Sequence, residues 1–232
     1  MNIIITGATK GIGRAVAEHF AGQGFDLAVC ARTQADLDAM QRELEKAHGV
    51  KVLVKVADFR KKQDVLDFAA FVRSHWSQID VLVNNAGVFA PGAVHDEAEG
   101  NLEWMMETNL YSAYHLTRAL LPIFLRQKRG HIFNMCSIAS LHAYPNGGSY
   151  SISKFALLGF SKNLREELKD KGIKVTAVMP GATWSDSWKG ADFPADRLMQ
   201  ASDVAQAVWS AWAMSPAAVV EDIVLRPQQG DL

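Results

Sequence analysis

The fold of this 232-residue chain is decided by the stretch Ile3-Ile4-Ile5-Thr6-Gly7-Ala8-Thr9-Lys10-Gly11-Ile12-Gly13. Its apolar start predicts a buried β-strand, and helical periodicity begins near its end. A glycine-rich turn between strand and helix brings the backbone close to a pyrophosphate and aims the helix N-terminus at its charge. Three residues separate Gly7 from Gly11, unlike the G-x-G-x-x-G pattern, and glycines after a strand often only make a turn. Its place in the first strand–helix unit favours dinucleotide binding.

Beyond this stretch, short apolar runs alternate with longer segments of helical period. The runs are rich in Val and Ile and are apolar on both faces, which is typical of strands buried in a parallel sheet. The alternation predicts right-handed crossovers and a doubly wound α/β sheet in one domain, residues 1–232. The predicted strands are Ile3–Thr6, Asp26–Ala31, Lys51–Ala57, Val81–Asn84, Gly130–Cys136, Lys174–Met179 and Asp222–Arg226, with helices near 12–23, 34–47, 62–76, 101–127, 150–170 and 202–213.

Composition argues against several classes of partner. Lys and Arg total 24 against 25 Asp and Glu, a net charge of −1, which gives no electrostatic footprint for nucleic acid or an anionic membrane. No apolar run approaches about 18 residues, and the N-terminus has no signal-peptide pattern. Cys30 and Cys136 lie in apolar runs, which predicts buried free thiols. We expect a soluble cytoplasmic protein without a metal site.

The end of the second predicted strand bears on cofactor choice. NAD-binding versions of this fold place an acidic residue there to hold the ribose 2′-hydroxyl, whereas this chain reads Cys30-Ala31-Arg32-Thr33. Arg32 is suited to a 2′-phosphate through a charge-assisted bidentate contact, and Lys10 can approach the same group. The alternative is that both are solvated surface cations, as most Lys and Arg are. The pattern favours NADP(H).

A second group of residues suits proton transfer. Tyr150 and Lys154 stand at i and i+4 near the start of a predicted helix, so they share one face. A nearby ammonium lowers the pKa of a phenol from its ordinary value near 10 and makes it useful in acid–base chemistry. Ser137, at the end of the preceding strand, offers a hydroxyl to hold a substrate oxygen. Alone, a Tyr-x-x-x-Lys spacing is weak evidence, because both residues are common on helix surfaces.

In combination these motifs resemble those of the short-chain dehydrogenase/reductase family over nearly the whole chain. The glycine turn is similar to the family's cofactor turn, and Asn84-Asn85-Ala86-Gly87 is similar to its Asn-Asn-Ala-Gly segment. The other matches are Asp58 after the third strand, the set Asn109, Ser137, Tyr150 and Lys154, and Pro180-Gly181 after the sixth strand.

The resemblance implies a single Rossmann-type domain whose seven-stranded parallel sheet has the order 3-2-1-4-5-6-7, with helices on both faces. It also implies hydride transfer between NADP(H) and a carbonyl or alcohol group. The residues it places on the cofactor are Gly7, Thr9, Lys10, Gly11, Ile12, Gly13, Arg32, Asp58, Asn85, Ala86, Gly87, Tyr150, Lys154, Pro180, Gly181, Thr183 and Ser185.

The resemblance assigns a role to each catalytic residue. Tyr150 would give a proton to the carbonyl oxygen or remove one from the alcohol. Lys154 would lower the tyrosine pKa and hydrogen-bond the nicotinamide ribose. Ser137 would position the substrate oxygen, and Asn109 would hold a water that links Lys154 to solvent.

Two features depart from the family pattern. After Pro180-Gly181 the family usually has one threonine that contacts the nicotinamide carboxamide, whereas Thr183 and Ser185 are both available here. The C-terminal region lacks the Asn-Gly-Gly ending that is common in 3-oxoacyl-carrier-protein reductases. That difference weakens, without removing, the interpretation as an acyl-carrier reductase.

The family's substrate pocket maps onto three loops of this chain, and two of them belong to connections longer than usual, 88–100 and 182–201. We expect an apolar, aromatic pocket in which His142 or Tyr144 can hydrogen-bond. Trp184 and Trp188 fit either this pocket or a helix face packed on the core. The expected pocket residues are Phe89, His142, Tyr144, Trp184 and Trp188.

Two further hypotheses remain at this point. A non-catalytic NADP(H) sensor would keep the glycine turn but could lose the tyrosine or lysine, both of which this chain retains. The family is commonly dimeric or tetrameric through its two long central helices, and segments 101–127 and 150–170 are long enough for that role. We therefore expect a homodimer or homotetramer that acts on a small carbonyl or alcohol substrate.

Overall fold

The computed structural model describes residues 1–184, 194 and 197–230. Within them, seven parallel strands form one sheet in the order β3-β2-β1-β4-β5-β6-β7, as predicted. The strands are β1 (Asn2–Thr6), β2 (Asp26–Ala31), β3 (Val52–Val56), β4 (Val81–Asn84), β5 (Gly130–Met135), β6 (Ile173–Pro180) and β7 (Asp222–Leu225).

Helices connect the strands and differ from the prediction mainly between residues 101 and 127. The single helix expected there contains a π-helical turn at Glu107–Tyr111. No helix among the described residues combines the length and apolar character needed to cross a bilayer. The α-helices are α1 (Gly11–Gly22), α2 (Gln34–His48), α3 (Lys62–His75), α4 (Asn101–Met106), α5 (Ser112–Gln127), α6 (Gly148–Leu168) and α7 (Ala201–Trp212).

Strand alternation explains the two layers of core. Ile3 and Ile5 point to the face covered by α1, α2 and α7, whereas Ile4 points to the face covered by α3, α5 and α6. All three isoleucines are fully buried, and burying such a side chain contributes about 1.5–3 kcal/mol. A run that is apolar on both faces therefore makes β1 a central strand.

The strand order places a topological switch between β1 and β4. The chain winds outward from β1 through β2 to β3 and then returns to β4 on the other side of β1. Open α/β sheets bind ligands outside the carboxyl ends of strands at such a switch. The glycine turn after β1 and the residues after β4 lie side by side there.

Candidate active site

The glycine turn is held by the segment that follows β4. The Asn85 amide donates from Nδ2 to the carbonyl oxygens of Thr6, at 2.9 Å, and Gly7, at 3.0 Å. Gly7 has φ +63°, a conformation that favours glycine. A Cβ on Gly13 would lie 2.4 Å from both Asn85 Nδ2 and the Gly7 oxygen. Glycine is therefore required at position 13 so that α1 can approach the turn. Gly13 does not itself form a wall of the site.

An open cleft of about 1340 Å³ runs along the carboxyl ends of the strands. Ordinary small-molecule pockets measure roughly 300–1000 Å³, so this cleft has room for a dinucleotide together with a substrate. Its walls include most of the residues predicted to contact the cofactor: Gly7, Thr9, Lys10, Ile12, Arg32, Asp58, Asn85, Ala86, Gly87, Tyr150, Lys154, Pro180, Gly181 and Thr183.

Among the described residues, two of those predicted to contact the cofactor do not form the wall of the cleft. Gly13 is buried behind the turn, and Gly11 begins α1 with φ +56°. Ser185 lies outside the described residues. Thr183 is buried at the cleft, where its hydroxyl donates to the Gly181 oxygen at 3.0 Å.

One end of the cleft contains a charged cluster that sequence reasoning found only in part. Arg32 is exposed after β2 and lines the cleft, as do Asp36 in the first turn of α2 and Arg60 after β3. Arg60 binds both carboxylate oxygens of Asp58, at 2.7–3.2 Å. This hydrogen-bonded pairing holds the Asp58 pKa below its ordinary value. Asp36 and Arg60 were missed, although each lies within four residues of a predicted position.

The residues predicted to be catalytic meet at the other end of the cleft, where α6 approaches the end of β5. Tyr150 and Lys154 lie one turn apart on α6 and both line the cleft with Ser137. Burial raises the pKa of Tyr150 above its ordinary value, and a hydrogen bond with the Ser137 side chain partly opposes that rise. Tyr150 is therefore fully protonated at neutral pH and suited to donate a proton.

The position and the pKa of Lys154 bear on its predicted effect on the pKa of Tyr150. Its Nζ donates to the Met135 oxygen at 2.8 Å and lies 5.8 Å from the centre of the Tyr150 ring. Burial lowers the pKa of Lys154 to about 8. Burial of the phenol dominates and raises the Tyr150 pKa overall, and the lowering effect of Lys154 stays a prediction.

Asn109 sits in the π-helical turn, a distortion that is frequent at functional sites. Its Oδ1 accepts from Val88 N at 2.7 Å, and its Nδ2 donates to Val88 O at 3.0 Å and to Ser153 Oγ at 2.9 Å. Both amide hydrogens are thus used, and one lone pair of Oδ1 remains for a water. Gly87 lies against both Asn109 Oδ1 and Lys154 Nζ. The water relay stays a prediction.

Aromatic side chains line the cleft near Tyr150. The Phe89 ring meets the Tyr150 ring edge-on, with centroids 4.8 Å apart. His142 and Tyr144 are exposed at the cleft. Trp104 in α4 also lines it and was missed, although it lies one turn before Thr108, another lining residue.

The helix-face alternative for the two tryptophans is wrong at Trp184. Thr183 forms a β-bridge with Met199, and Trp184 N donates to the Met199 oxygen at 2.8 Å. Trp184 therefore lies on a short extended segment that borders the cleft. Trp188 lies outside the described residues.

Comparisons with known proteins agree with this geometry. Residues 1–192 match the short chain dehydrogenase family. A sepiapterin reductase of Chlorobaculum tepidum is 36% identical over 99% of this chain and 97% of its own. An NADP-dependent 3-hydroxy acid dehydrogenase of Salmonella typhi is 31% identical over 90% of this chain and 88% of its own.

Among solved structures, an alcohol dehydrogenase from the archaeon Thermococcus sibiricus, complexed with 5-hydroxy-NADP, superposes with a TM-score of 0.91. It is 27% identical to this chain, and the match covers 100% of this chain and 98% of the other. The protein is a member of the short-chain dehydrogenase family of oxidoreductases.

Proposed function

We propose that the chain is an NADP(H)-dependent oxidoreductase that interconverts a carbonyl and an alcohol group, with Tyr150 as the proton donor or acceptor. The observation that carries this proposal is the convergence of Tyr150, Ser137 and Lys154 at the inner end of a cleft whose other end is the glycine turn. A sensor would need the turn alone. We further propose that residues 1–232 form one cofactor-binding and catalytic domain.

When bound, NADPH supplies a hydride to the substrate's carbonyl carbon. Ser137 and Tyr150 hydrogen-bond the carbonyl oxygen and so fix its distance from the cofactor site. The Tyr150 hydroxyl, whose raised pKa keeps it protonated, gives its proton to that oxygen. Protonated Lys154, with its pKa near 8, then stabilises the phenolate, and solvent returns the proton through the water that we assign to Asn109.

Two cations in the cleft support a preference for NADP(H) over NAD(H). Lys10 forms the extended residue before α1, and Arg32 follows β2; both line the same cleft. A guanidinium suits a phosphate better than it suits a ribose hydroxyl. The NADP named in the Salmonella typhi relative and in the Thermococcus sibiricus structure points the same way.

The aromatic wall around Tyr150 supports a substrate with an apolar or planar body beside its carbonyl. Phe89 and Trp184 present ring surface to the cleft, and Tyr144 adds a hydroxyl. The name of the Chlorobaculum tepidum relative makes sepiapterin a reasonable first probe. Diacetyl, acetoacetyl thioesters and 3-hydroxy acids extend the panel and separate an acyl-carrier reductase from a reductase of small ketones.

Oxidation of NADPH by the carbonyl compounds of this panel and reduction of NADP+ by its 3-hydroxy acids, both followed at 340 nm, test the proposal. Tyr150→Phe should lower kcat at least 100-fold, since it removes the transferred proton, and should leave the Kd for NADPH within about twofold. Tyr111→Phe, at an exposed tyrosine that does not line the cleft, serves as the matched control. Near-normal turnover by Tyr150→Phe would remove the assigned role.

We also propose a homo-oligomer formed through α5 and α6. Tyr114, Leu125, Ile152 and Phe155 are exposed on these helices, and apolar groups gathered on helix surfaces favour association with a second copy. Light scattering should give a dimer or tetramer, and Phe155→Glu should shift it towards the monomer. A monomeric wild-type protein at micromolar concentration would contradict this.

A further inference from the structure

The helix that carries Tyr150 begins without a cap of its own. Gly147 precedes α6 and offers no side chain to its free N–H groups, and the first turn of α6 contains no acidic residue. Helix N-termini leave backbone donors that need acceptors, and they favour a negative charge nearby. Tyr150 lies in this first turn, so the order of the turn affects the phenol directly.

A distant carboxylate supplies what the helix lacks. Glu97, half-buried in the loop after β4, accepts from Ser149 N at 3.3 Å through Oε2 and from Ser149 Oγ at 2.6 Å through Oε1. Ser149 is buried and directly precedes Tyr150. The loop is folded for this contact, since Glu97 N donates to the Ala93 oxygen at 2.8 Å.

Close packing around the contact shows that the two segments fit each other. A Cβ on Gly148 would lie 2.3 Å from the Gly92 oxygen and 3.0 Å from Glu97 Oε2. Gly92 N donates to the Asn146 oxygen at 3.1 Å. The same loop also begins at Val88, which is held by Asn109. The loop is thus attached to the catalytic elements at both of its ends.

We propose that Glu97 is a positioning residue, which caps α6 through Ser149 and thereby fixes the Tyr150 hydroxyl relative to Ser137 and Lys154. The inference rests on the proposed function of Tyr150. Lys154, one turn further along, is anchored separately by the Met135 oxygen. Loss of the Glu97 carboxylate therefore allows Tyr150 to move, whereas Lys154 stays in place.

Glu97→Ala tests the proposal, with Glu99→Ala as the matched control because Glu99 is an exposed acid on the same loop. With NADPH and sepiapterin or diacetyl, whichever turns over faster, we expect a drop of about tenfold in kcat and in the single-turnover rate, since small misplacements of a reacting group are costly. The Kd for NADPH should stay within twofold, and Glu97→Gln, which keeps one acceptor oxygen, should lie between. Glu99→Ala should match the wild type.

A second measurement does not depend on turnover. Hydrogen exchange in the peptide that spans residues 147–158 should become about tenfold faster in Glu97→Ala and unchanged in Glu99→Ala, as expected for a frayed first turn. Ser149→Ala should reduce the single-turnover rate, and adding it to Glu97→Ala should cost little more, because the two residues act through one contact.

The outcomes separate the two proposals. If Tyr150→Phe abolishes turnover while Glu97→Ala keeps the wild-type single-turnover rate and exchange pattern, the positioning role is wrong and the function stands. If Glu97→Ala loses NADPH affinity as much as rate, Glu97 has a general structural role and the inference is overturned. If Tyr150→Phe retains turnover, the proposed function itself fails.

Discussion

The two ends of the cleft are built in different ways. The cofactor end is built around backbone, namely the Gly7 turn and the start of α1, which the side-chain amide of Asn85 braces. The substrate end is formed by side chains that are 36–52% exposed, namely Phe89, Tyr144 and Trp184. One end is packed and the other is open to solvent.

This difference predicts which substitutions change cofactor binding and which change substrate selection. A site made of backbone has few replaceable parts, so a substitution there acts by steric clash and affects cofactor binding as a whole. A wall of exposed side chains can be altered one ring at a time without disturbing the core. Cofactor binding should therefore respond in large steps and substrate selection in small ones.

The largest effect is expected from Gly13→Ala, which tests whether the cofactor end is as rigid as it looks. The added methyl group would meet the Gly7 oxygen and Asn85 Nδ2 at 2.4 Å, and Asn85 cannot move without releasing the turn. We expect NADPH affinity to fall at least 100-fold, measured by fluorescence titration. Gly22→Ala is the control in the same helix, since its Cβ would find its nearest neighbour, His48, at 3.8 Å. Unchanged NADPH affinity in Gly13→Ala would contradict this prediction, because it would show that the turn can shift to accommodate the methyl group.

A pH profile tests the role of Lys154, which lies one turn after Tyr150 on α6 and lines the cleft. Burial lowers the pKa of Lys154 to about 8. The side chain is therefore almost fully protonated below pH 7 and loses its proton as the pH rises through 8. We expect kcat/KM for NADPH, which reports ionisations of the free enzyme, to fall up to about tenfold per pH unit above 8. Tyr150 cannot cause this limb, because burial raises its pKa above the ordinary value near 10. A flat profile to pH 9.5 would contradict the assignment.

The sequence predicted the cofactor end far better than the substrate end, for a physical reason. A turn between a buried strand and a helix needs glycine at set positions, so Gly7, Gly11 and Gly13 leave a readable pattern. The strand order was predicted from the resemblance to the short-chain dehydrogenase/reductase family, and the structure has that order. Short runs that are rich in Val and Ile and apolar on both faces likewise located every strand to within one residue at each end.

What the sequence could not predict depends on contacts between distant segments. Glu97 and Ser149 are 52 residues apart, and nothing in either stretch indicates that they meet. The pairing of Arg60 with Asp58 is local, yet its significance depends on the cleft that other strands create. The overall rise of the Tyr150 pKa could not be predicted because burial, which spacing does not reveal, dominates it.

A smaller effect is expected from Arg32→Ala, which asks whether one side chain at the cofactor end sets cofactor choice. Charge-assisted hydrogen bonds contribute about 1.5–3 kcal/mol, so the Kd for NADPH should rise at least tenfold and the Kd for NADH less than twofold. Arg42→Ala, an exposed arginine further along α2, is the control. Preference for NADH in the wild type would instead assign the ribose contact to Asp36, which lines the same wall.

The smallest effect is expected from Phe89→Ala, because the ring is 52% exposed and its main aromatic contact is with Tyr150. Aromatic pairs contribute about 0.5–1.5 kcal/mol, so loss of a ring contact between Phe89 and the substrate should raise KM for the carbonyl substrate about two- to tenfold. The Kd for NADPH should not change, since Phe89 lies on the substrate loop. Val94→Ala, exposed on the same loop, should behave as the wild type. If Phe89→Ala weakened NADPH binding as much as substrate binding, the two ends would be one coupled site, and the loop held by Asn109 and Glu97 would be the connection through which the coupling acts.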